Sequence, residues 1–171
     1  MLTVFLSGLK SHLKTVCVLP VRGLHVDMIH ASDELTYILD NDHGKILSLG
    51  VVDGQSVLKT DIAKQLKIVE RVTKNIGLRR VIIAPNCSLS YLPADLEDEK
   101  NLDENVRELF SYARQKLKDI KIMADALNVG KHAVFEALKK NEDLMKDIAD
   151  RDRLTDSRVQ SLLQRIQDTE E

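Results

Sequence analysis

The sequence predicts an α/β fold of consecutive βα units followed by a purely helical tail. Four short, almost uniformly apolar runs stand at Leu2 to Leu6, Leu24 to Ile29, Ile46 to Val52 and Val81 to Ala84. The stretches between them carry apolar residues at helical spacing, and after Asp95 only the helical period remains. Strands that are apolar throughout are covered on both faces, as in parallel sheets. Four such units wound with one hand give either an open sheet or half of a (β/α)8 barrel.

Each element follows from local signals. After the first run and Gly8, the residues Leu9, Leu13 and Val16 recur at helical spacing until Pro20 and Gly23 break the segment. After the second run, Ser32 offers an N-cap, Asp33 and Glu34 suit the positive end of a helix dipole, and Leu35, Ile38 and Leu39 form the buried side. His43-Gly44 is a turn. The third run ends at Asp53-Gly54, where the glycine is expected to supply a positive φ. A helix capped by Thr60 or Asp61 follows, with Ile62, Leu66, Val69, Val72 and Ile76 on one face and Gly77 as its stop. Pro85 closes the fourth run. Beyond the charged turn from Glu97 to Lys100, the residues Leu102, Val106, Leu109, Phe110, Ala113, Leu117, Ile120, Met123 and Leu127 predict one long amphipathic helix. Gly130 is a break, and two further helices are expected over 131–149 and 156–168. The domain boundaries read as 1–127 for the βα units and 128–171 for the tail.

Composition narrows the function. The 171 residues are 43% hydrophobic and 30% charged, with a net charge of −2, which suits a soluble globular chain without a field to recruit nucleic acid. Six aromatic residues and no tryptophan give no base-stacking platform. No run approaches a membrane span, and the short apolar start lacks a basic leader, so a cytoplasmic protein without a signal peptide is expected. Cys17 and Cys87 form no CxxC pair and read as buried reduced thiols. No phosphate-binding glycine loop occurs, and Lys59, Lys64, Lys67 and Lys74, mixed with Asp61 and Glu70, read as a solvated helix face.

Chemistry in a barrel collects at the C-terminal ends of the strands. The polar residues expected there are His25, Asp27 and His30, then Asp53-Gly54, then Asn86-Cys87-Ser88. Of these, Asp27, His30, Asp53, Cys87 and Ser88 form the candidate strand-end cleft. His25, Asp27 and His30 could hold a metal or act as an acid–base pair. No second ligand cluster completes a four-ligand site, and a strand-end carboxylate bonding loop amides explains Asp27 equally well. Cys87 could be a ligand or nucleophile, and the simpler reading is a small buried residue at the rim.

Three ordered stretches carry the reading further. They are Leu19-Pro20-Val21-Arg22-Gly23-Leu24-His25-Val26-Asp27-Met28-Ile29-His30; Leu47-Ser48-Leu49-Gly50-Val51-Val52-Asp53-Gly54 through Thr60-Asp61; and Ala84-Pro85-Asn86-Cys87-Ser88-Leu89, with Pro93-Ala94-Asp95-Leu96 and Phe110-Ser111-Tyr112-Ala113-Arg114-Gln115-Lys116-Leu117. Together they resemble the late part of the N-terminal barrel of cobalamin-independent methionine synthases, over about residues 1–127, while Arg153 to Ile166 is similar to the segment leading toward the linker between that family's two barrels. The resemblance implies half of a (β/α)8 TIM-type barrel plus a helical tail. It implies a segment of an enzyme of methionine biosynthesis, which transfers methyl from a folate, 5-methyltetrahydropteroyl-triglutamate, to homocysteine.

It also implies what is missing. The family's zinc sits in a C-terminal barrel that this chain lacks, so no cofactor is expected here and the chain alone is expected to be inactive. In that catalytic barrel a strand followed by Asn-Pro-Asp-Cys-Gly supplies the last zinc ligand, and Ala84-Pro85-Asn86-Cys87-Ser88 is similar to it. Leu2-Thr3-Val4-Phe5-Leu6, the counterpart of another ligand-bearing strand, offers none. One thiol cannot hold a tetrahedral zinc, so Cys87 is expected to be a relic and no catalytic residue is carried over. Gln55-Ser56-Val57-Leu58-Lys59 stands where the family usually has Arg-Asn, an aliphatic residue, Trp and Arg, and Tyr91 where it often has His. Three roles follow: a structural segment, a subunit of a split methyltransferase, or a free-standing small-molecule module. The open edges of a half barrel call for a partner, either the remainder of the synthase or a second copy of this chain.

Overall fold

The computed structural model of the chain describes residues 1–41 and 44–150. Four strands, β1 (Leu2–Thr3), β2 (Gly23–Asp27), β3 (Ile46–Val52) and β4 (Val81–Pro85), form one parallel sheet in the order β1-β2-β3-β4. Helices α1 (Leu13–Val18), α2 (Leu35–Asp40) and α3 (Ile62–Ile76) make the crossovers, and α4 (Glu104–Arg107) and α5 (Ala113–Asn128) follow β4. This is the four-unit, half-barrel architecture with a helical tail that the sequence predicts.

Alternation of side chains assigns the two faces of the sheet. Leu24, Val26, Leu47, Leu49 and Val51 join the buried sides of the helices in one core cluster. From α3 come Ile62, Leu66, Val69, Val72 and Ile76, the face read from its 3.6-residue period. Each fully buried Leu or Val contributes about 1.5–3 kcal/mol relative to exposure. Among the described residues, the opposite face has no helices. Its register row runs Thr3, His25, Ser48, Ile82, with Asp27, Gly50 and Ala84 in the next inward row. Met1, Phe5 and Ile82 remain exposed on that side, Ile82 at 44%.

Several boundaries differ from expectation. The β1 ladder covers only Leu2–Thr3, extended by a bond from Val4 N–H to the His25 carbonyl (3.1 Å), because Leu6 turns the chain away at φ 61°. Ser32 makes no cap: a short 3-10 turn, Ser32–Glu34, precedes α2, and the Glu34 carboxylate instead accepts from Leu9 N–H (2.8 Å) and Lys10 N–H (2.5 Å). Asp61, not Thr60, caps α3 by accepting from Lys64 N–H at 2.9 Å. Lys59 lies before α3 and is half-buried, whereas Lys64, Lys67 and Lys74 are on its solvated face.

The long helix expected from Leu102 to Leu127 is broken. Residues 109–111 pair in extended form with the loop after β3: Lys59 N–H bonds the Leu109 carbonyl (2.9 Å), Ser111 N–H bonds the Val57 carbonyl (2.7 Å), and Leu58 and Phe110 form an antiparallel bridge. These bonds satisfy main-chain groups of both segments, and Phe110 stacks on Tyr112 with centroids 6.3 Å apart. Leu117 consequently faces solvent on α5, and the core positions are Lys116, Met123 and Ala126.

Gly130 breaks the chain at φ 116°, and after a 3-10 turn (Lys131–Val134) helix α6 covers 135–150. Buried Asn141 fixes this helix to the sheet domain. Its carbonyl accepts from Ile62 N–H and its amide donates to the Thr60 carbonyl, both at 2.9 Å. The helix expected at 156–168 and the His43 half of the His43-Gly44 turn lie outside the described residues; Gly44 itself has φ 77°. Among the described residues, no helix is long and apolar enough to cross a membrane.

Candidate functional site

The strand ends converge on Asn86, the first residue after β4 and wholly buried. Its N–H continues the sheet by bonding the Val52 carbonyl at 2.8 Å. Its side chain then spans two loops. Oδ1 accepts from the N–H of Gly54 at 2.9 Å, and Nδ2 donates to Asp27 Oδ2 at 3.2 Å. The backbone can come this close because position 50 is glycine: a Cβ there would lie 2.6 Å from Asn86 Cα. Gly54 serves the same end. Its φ is not positive, contrary to expectation; what it supplies is space, since a Cβ would meet Cys87 Sγ at 2.8 Å and the Cys87 carbonyl at 3.0 Å.

Asp27 is sealed from solvent and its carboxylate is fully engaged. Oδ1 accepts from Ile29 N–H (2.9 Å) and His30 N–H (3.1 Å), and Oδ2 accepts from His30 Nδ1 (2.8 Å) as well as from Asn86. A carboxylate here only accepts, so Nδ1 of His30 carries its proton and the imidazole is oriented, with its side chain 43% exposed. The pair is therefore a buried acid holding a rim histidine, together with a loop brace.

His25 points to the inner face. Nε2 lies 3.5 Å from the Asn86 carbonyl, the outer limit of a hydrogen bond, and Nδ1 lies 2.8 Å from Ser48 Oγ. Because a carbonyl cannot donate, this geometry fits a proton on Nε2 and a Ser48 hydroxyl donating to Nδ1. His25 and Ser48 are partners in the strand register, which is why they meet.

Asp53 makes a turn of its own, Oδ1 accepting from Gln55 N–H (2.9 Å) and Ser56 N–H (3.3 Å). Cys87 is buried, and burial pushes its thiol pKa up, with the charges of Asp53 and Asp27 adding to the effect. That is the reverse of an activated thiolate. Ser88 is exposed and bonds Ser90. The structure thus brings Asp27, His30 and Cys87 around Asn86, with Asp53 beside them and Ser88 at the rim. A cleft of about 340 Å³ opens here, lined by Thr3, Phe5, His25, Asn86, Cys87 and Tyr91 among others.

Zinc fits these residues poorly. Cys87 is the single thiol, Asp27 has all its acceptor sites in use, and no group of three His, Cys, Asp or Glu among the described residues could hold a metal.

Two participants escaped sequence reasoning. Ser48 was legible only as one hydroxyl inside an apolar run. Lys116 is 1% exposed and its ammonium donates to the Leu58 carbonyl; burial lowers its pKa. Nearby Asp119 is pushed up by burial, although Lys116 and Ser111 oppose this. The signal for Lys116 was its spacing from Ile120 and Met123, which places it on the buried face of α5.

Comparison with known proteins adds the context. The family model described as cobalamin-independent synthase, N-terminal domain, matches residues 1–77. The 5-methyltetrahydropteroyltriglutamate–homocysteine methyltransferase of Caulobacter vibrioides is 38% identical over 160 residues, which is 93% of this chain and 21% of that protein. Its namesake from Xylella fastidiosa (strain M23) is 36% identical over 129 residues, 75% of this chain and 17% of that protein. That from Coxiella burnetii (strain CbuG_Q212) is 34% identical over 146 residues, 85% of this chain and 19% of that protein. The chain spans about a fifth of the length of these curated relatives.

Proposed function

The chain belongs to the cobalamin-independent methionine synthase family, and from that premise we propose that it forms the second half of the N-terminal barrel of such an enzyme, a structural element without catalysis of its own. The observation that supports this most directly is the open sheet: among the described residues, four parallel strands with helices on one face, no outward pairing of β1 or β4, and an inner face that carries Thr3, His25, Ser48 and Ile82. The methyl transfer from 5-methyltetrahydropteroyl-triglutamate to homocysteine then belongs to the assembled enzyme in the cytoplasm. Zinc would be held by a separate barrel. This chain's contribution is to close the first barrel and to hold the loops after β2, β3 and β4 in register through Asn86 and Asp27.

The test is reconstitution. The chain is mixed with one carrying the first four βα units and with a zinc-bearing catalytic barrel, and methyl transfer is assayed. We expect no turnover from the chain alone and association with the first-half chain. Turnover by the chain alone, or failure to associate, would sink the reading. The cleft of about 340 Å³ favours a second reading, a small-molecule module. It requires a folate or amino-acid ligand that raises the melting temperature of the isolated chain by mass action.

A further inference from the structure

Helix α6 lies beside α3, away from both edges of the sheet, and the valley between the two helices is open. Two adjoining hollows of about 370 and 420 Å³ share Ala63, Lys67 and Glu142, and so make one groove along α6. α6 lines it with Phe135, Leu138, Glu142, Met145 and Ala149, spaced alternately by three and four residues. That is the spacing at which one helix meets another along its whole length. Phe135, at the head of the groove, is 57% exposed, whereas the neighbouring face of α6 is already tied to Thr60 and Ile62 through Asn141.

We propose that the chain's own segment 156–168, which lies outside the described residues, turns back after α6 and occupies this groove as an amphipathic helix antiparallel to α6. Its sequence argues for it as the occupant. Val159, Leu162, Leu163 and Ile166 repeat the three-and-four spacing, so an apolar stripe is offered to an apolar groove. The lengths agree. At about 1.5 Å per residue, a helix over 156–168 spans about 20 Å, and α6 from Phe135 to Ala149 spans about 21 Å. The five residues 151–155 between them are a connection of the length that joins antiparallel helices. The charges agree as well. An antiparallel return brings Asp168, Glu170 and Glu171 to the head of the groove, where Lys67, Lys131 and Lys139 stand at the rim, Lys131 paired with Glu70 at 2.7 Å. Phe135 then leaves water beside Ile166.

Fluorescence of the full chain decides this. The sequence has no tryptophan, so Phe135→Trp places a single indole at the head of the groove. Its emission is expected to be blue-shifted and weakly quenched by acrylamide at every protein concentration. Adding Leu162→Asp together with Leu163→Asp is expected to shift the emission to that of a solvated indole and to raise the quenching. Ser161→Asp together with Gln164→Asp adds the same charge on the opposite side of the stripe and is expected to leave both readings unchanged. A solvated indole in Phe135→Trp alone would overturn the proposal, as would shielding that survives the Leu162→Asp and Leu163→Asp pair. Shielding that appears only as concentration rises would assign the groove to a second copy and overturn it too. None of these outcomes bears on the barrel reading, which stands or falls on association with a first-half chain.

Discussion

Removing the Asn86 side chain tests the hub of the strand-end network. In Asn86→Ala, the buried Gly54 N–H loses its acceptor at 2.9 Å and Asp27 loses one of its four donors. Two buried hydrogen bonds contribute about 1 kcal/mol each, and an amide left unsatisfied adds a desolvation cost of about 1–3 kcal/mol. Part of these overlap, so the net loss is about 3 kcal/mol. A domain of this size loses about 2–4 °C per kcal/mol, and the melting temperature should drop by about 6–12 °C. Urea and thermal unfolding followed by circular dichroism read both quantities. Asn86→Asp separates the two bonds. It keeps the acceptor for Gly54 but sets a second carboxylate against Asp27, so the folded pair holds a proton that the unfolded chain does not. A group with a raised folded pKa contributes stability below its unfolded pKa and loses it as pH rises. Asn86→Asp should therefore fall further behind the wild type between about pH 4 and pH 7. A loss under about 1 kcal/mol in Asn86→Ala, or a pH-independent gap for Asn86→Asp, would refute the hub.

Three other outcomes are expected. Gly50→Ala drives a Cβ to within 2.6 Å of Asn86 Cα, and because that neighbour is backbone the β3–β4 pair must part, at the upper end of the usual overpacking cost of about 1–3 kcal/mol in urea unfolding. Arg114, Gln115 and the Glu97 amide hold the Asp95 carboxyl at a pKa of about 2; its contribution is present above the ordinary carboxylate range and is lost as pH falls toward 2, and Arg114→Ala should move the NMR titration of Asp95 back upward. Asp119 is displaced the other way by burial, so its contribution is present below the unfolded carboxylate pKa and declines as pH rises above it; Asp119→Asn should flatten that part of the stability–pH curve measured by urea unfolding.

The parallel sheet was legible because burial on two faces leaves a plain trace. Ile46–Val52 is apolar almost throughout, and its bounds in the structure are those of the run. α3 was legible for the matching reason: Ile62, Leu66, Val69, Val72 and Ile76 keep one helical stripe and Gly77 ends it at φ 86°. The stretch after Asp95 misled because periodicity reports spacing and not partners. Val106, Leu109 and Phe110 continue a helical phase, yet residues 109–111 are claimed by the loop at 57–59, an interaction between segments about fifty positions apart that no local pattern encodes.

The site divides along the same line. Asp27, Asp53 and Cys87 could be placed at strand ends from the runs that precede them. What joins them could not, because it depends on the register of β3 against β4 and on two glycines whose value is space. Gly54 shows the distinction well. A glycine after an aspartate suggests a left-handed turn, but its φ is ordinary and the missing Cβ is what lets the loop after β3 reach Asn86 past the Cys87 sulfur. Asp27 follows the same logic. A buried carboxylate between two histidines invites a metal, and three of its four donors come from the turn it heads, from Ile29 and His30. The buried polar groups of this sheet are spent on holding loops in place. On the inner face Phe5 and Ile82, by contrast, stand in solvent and hold no loop.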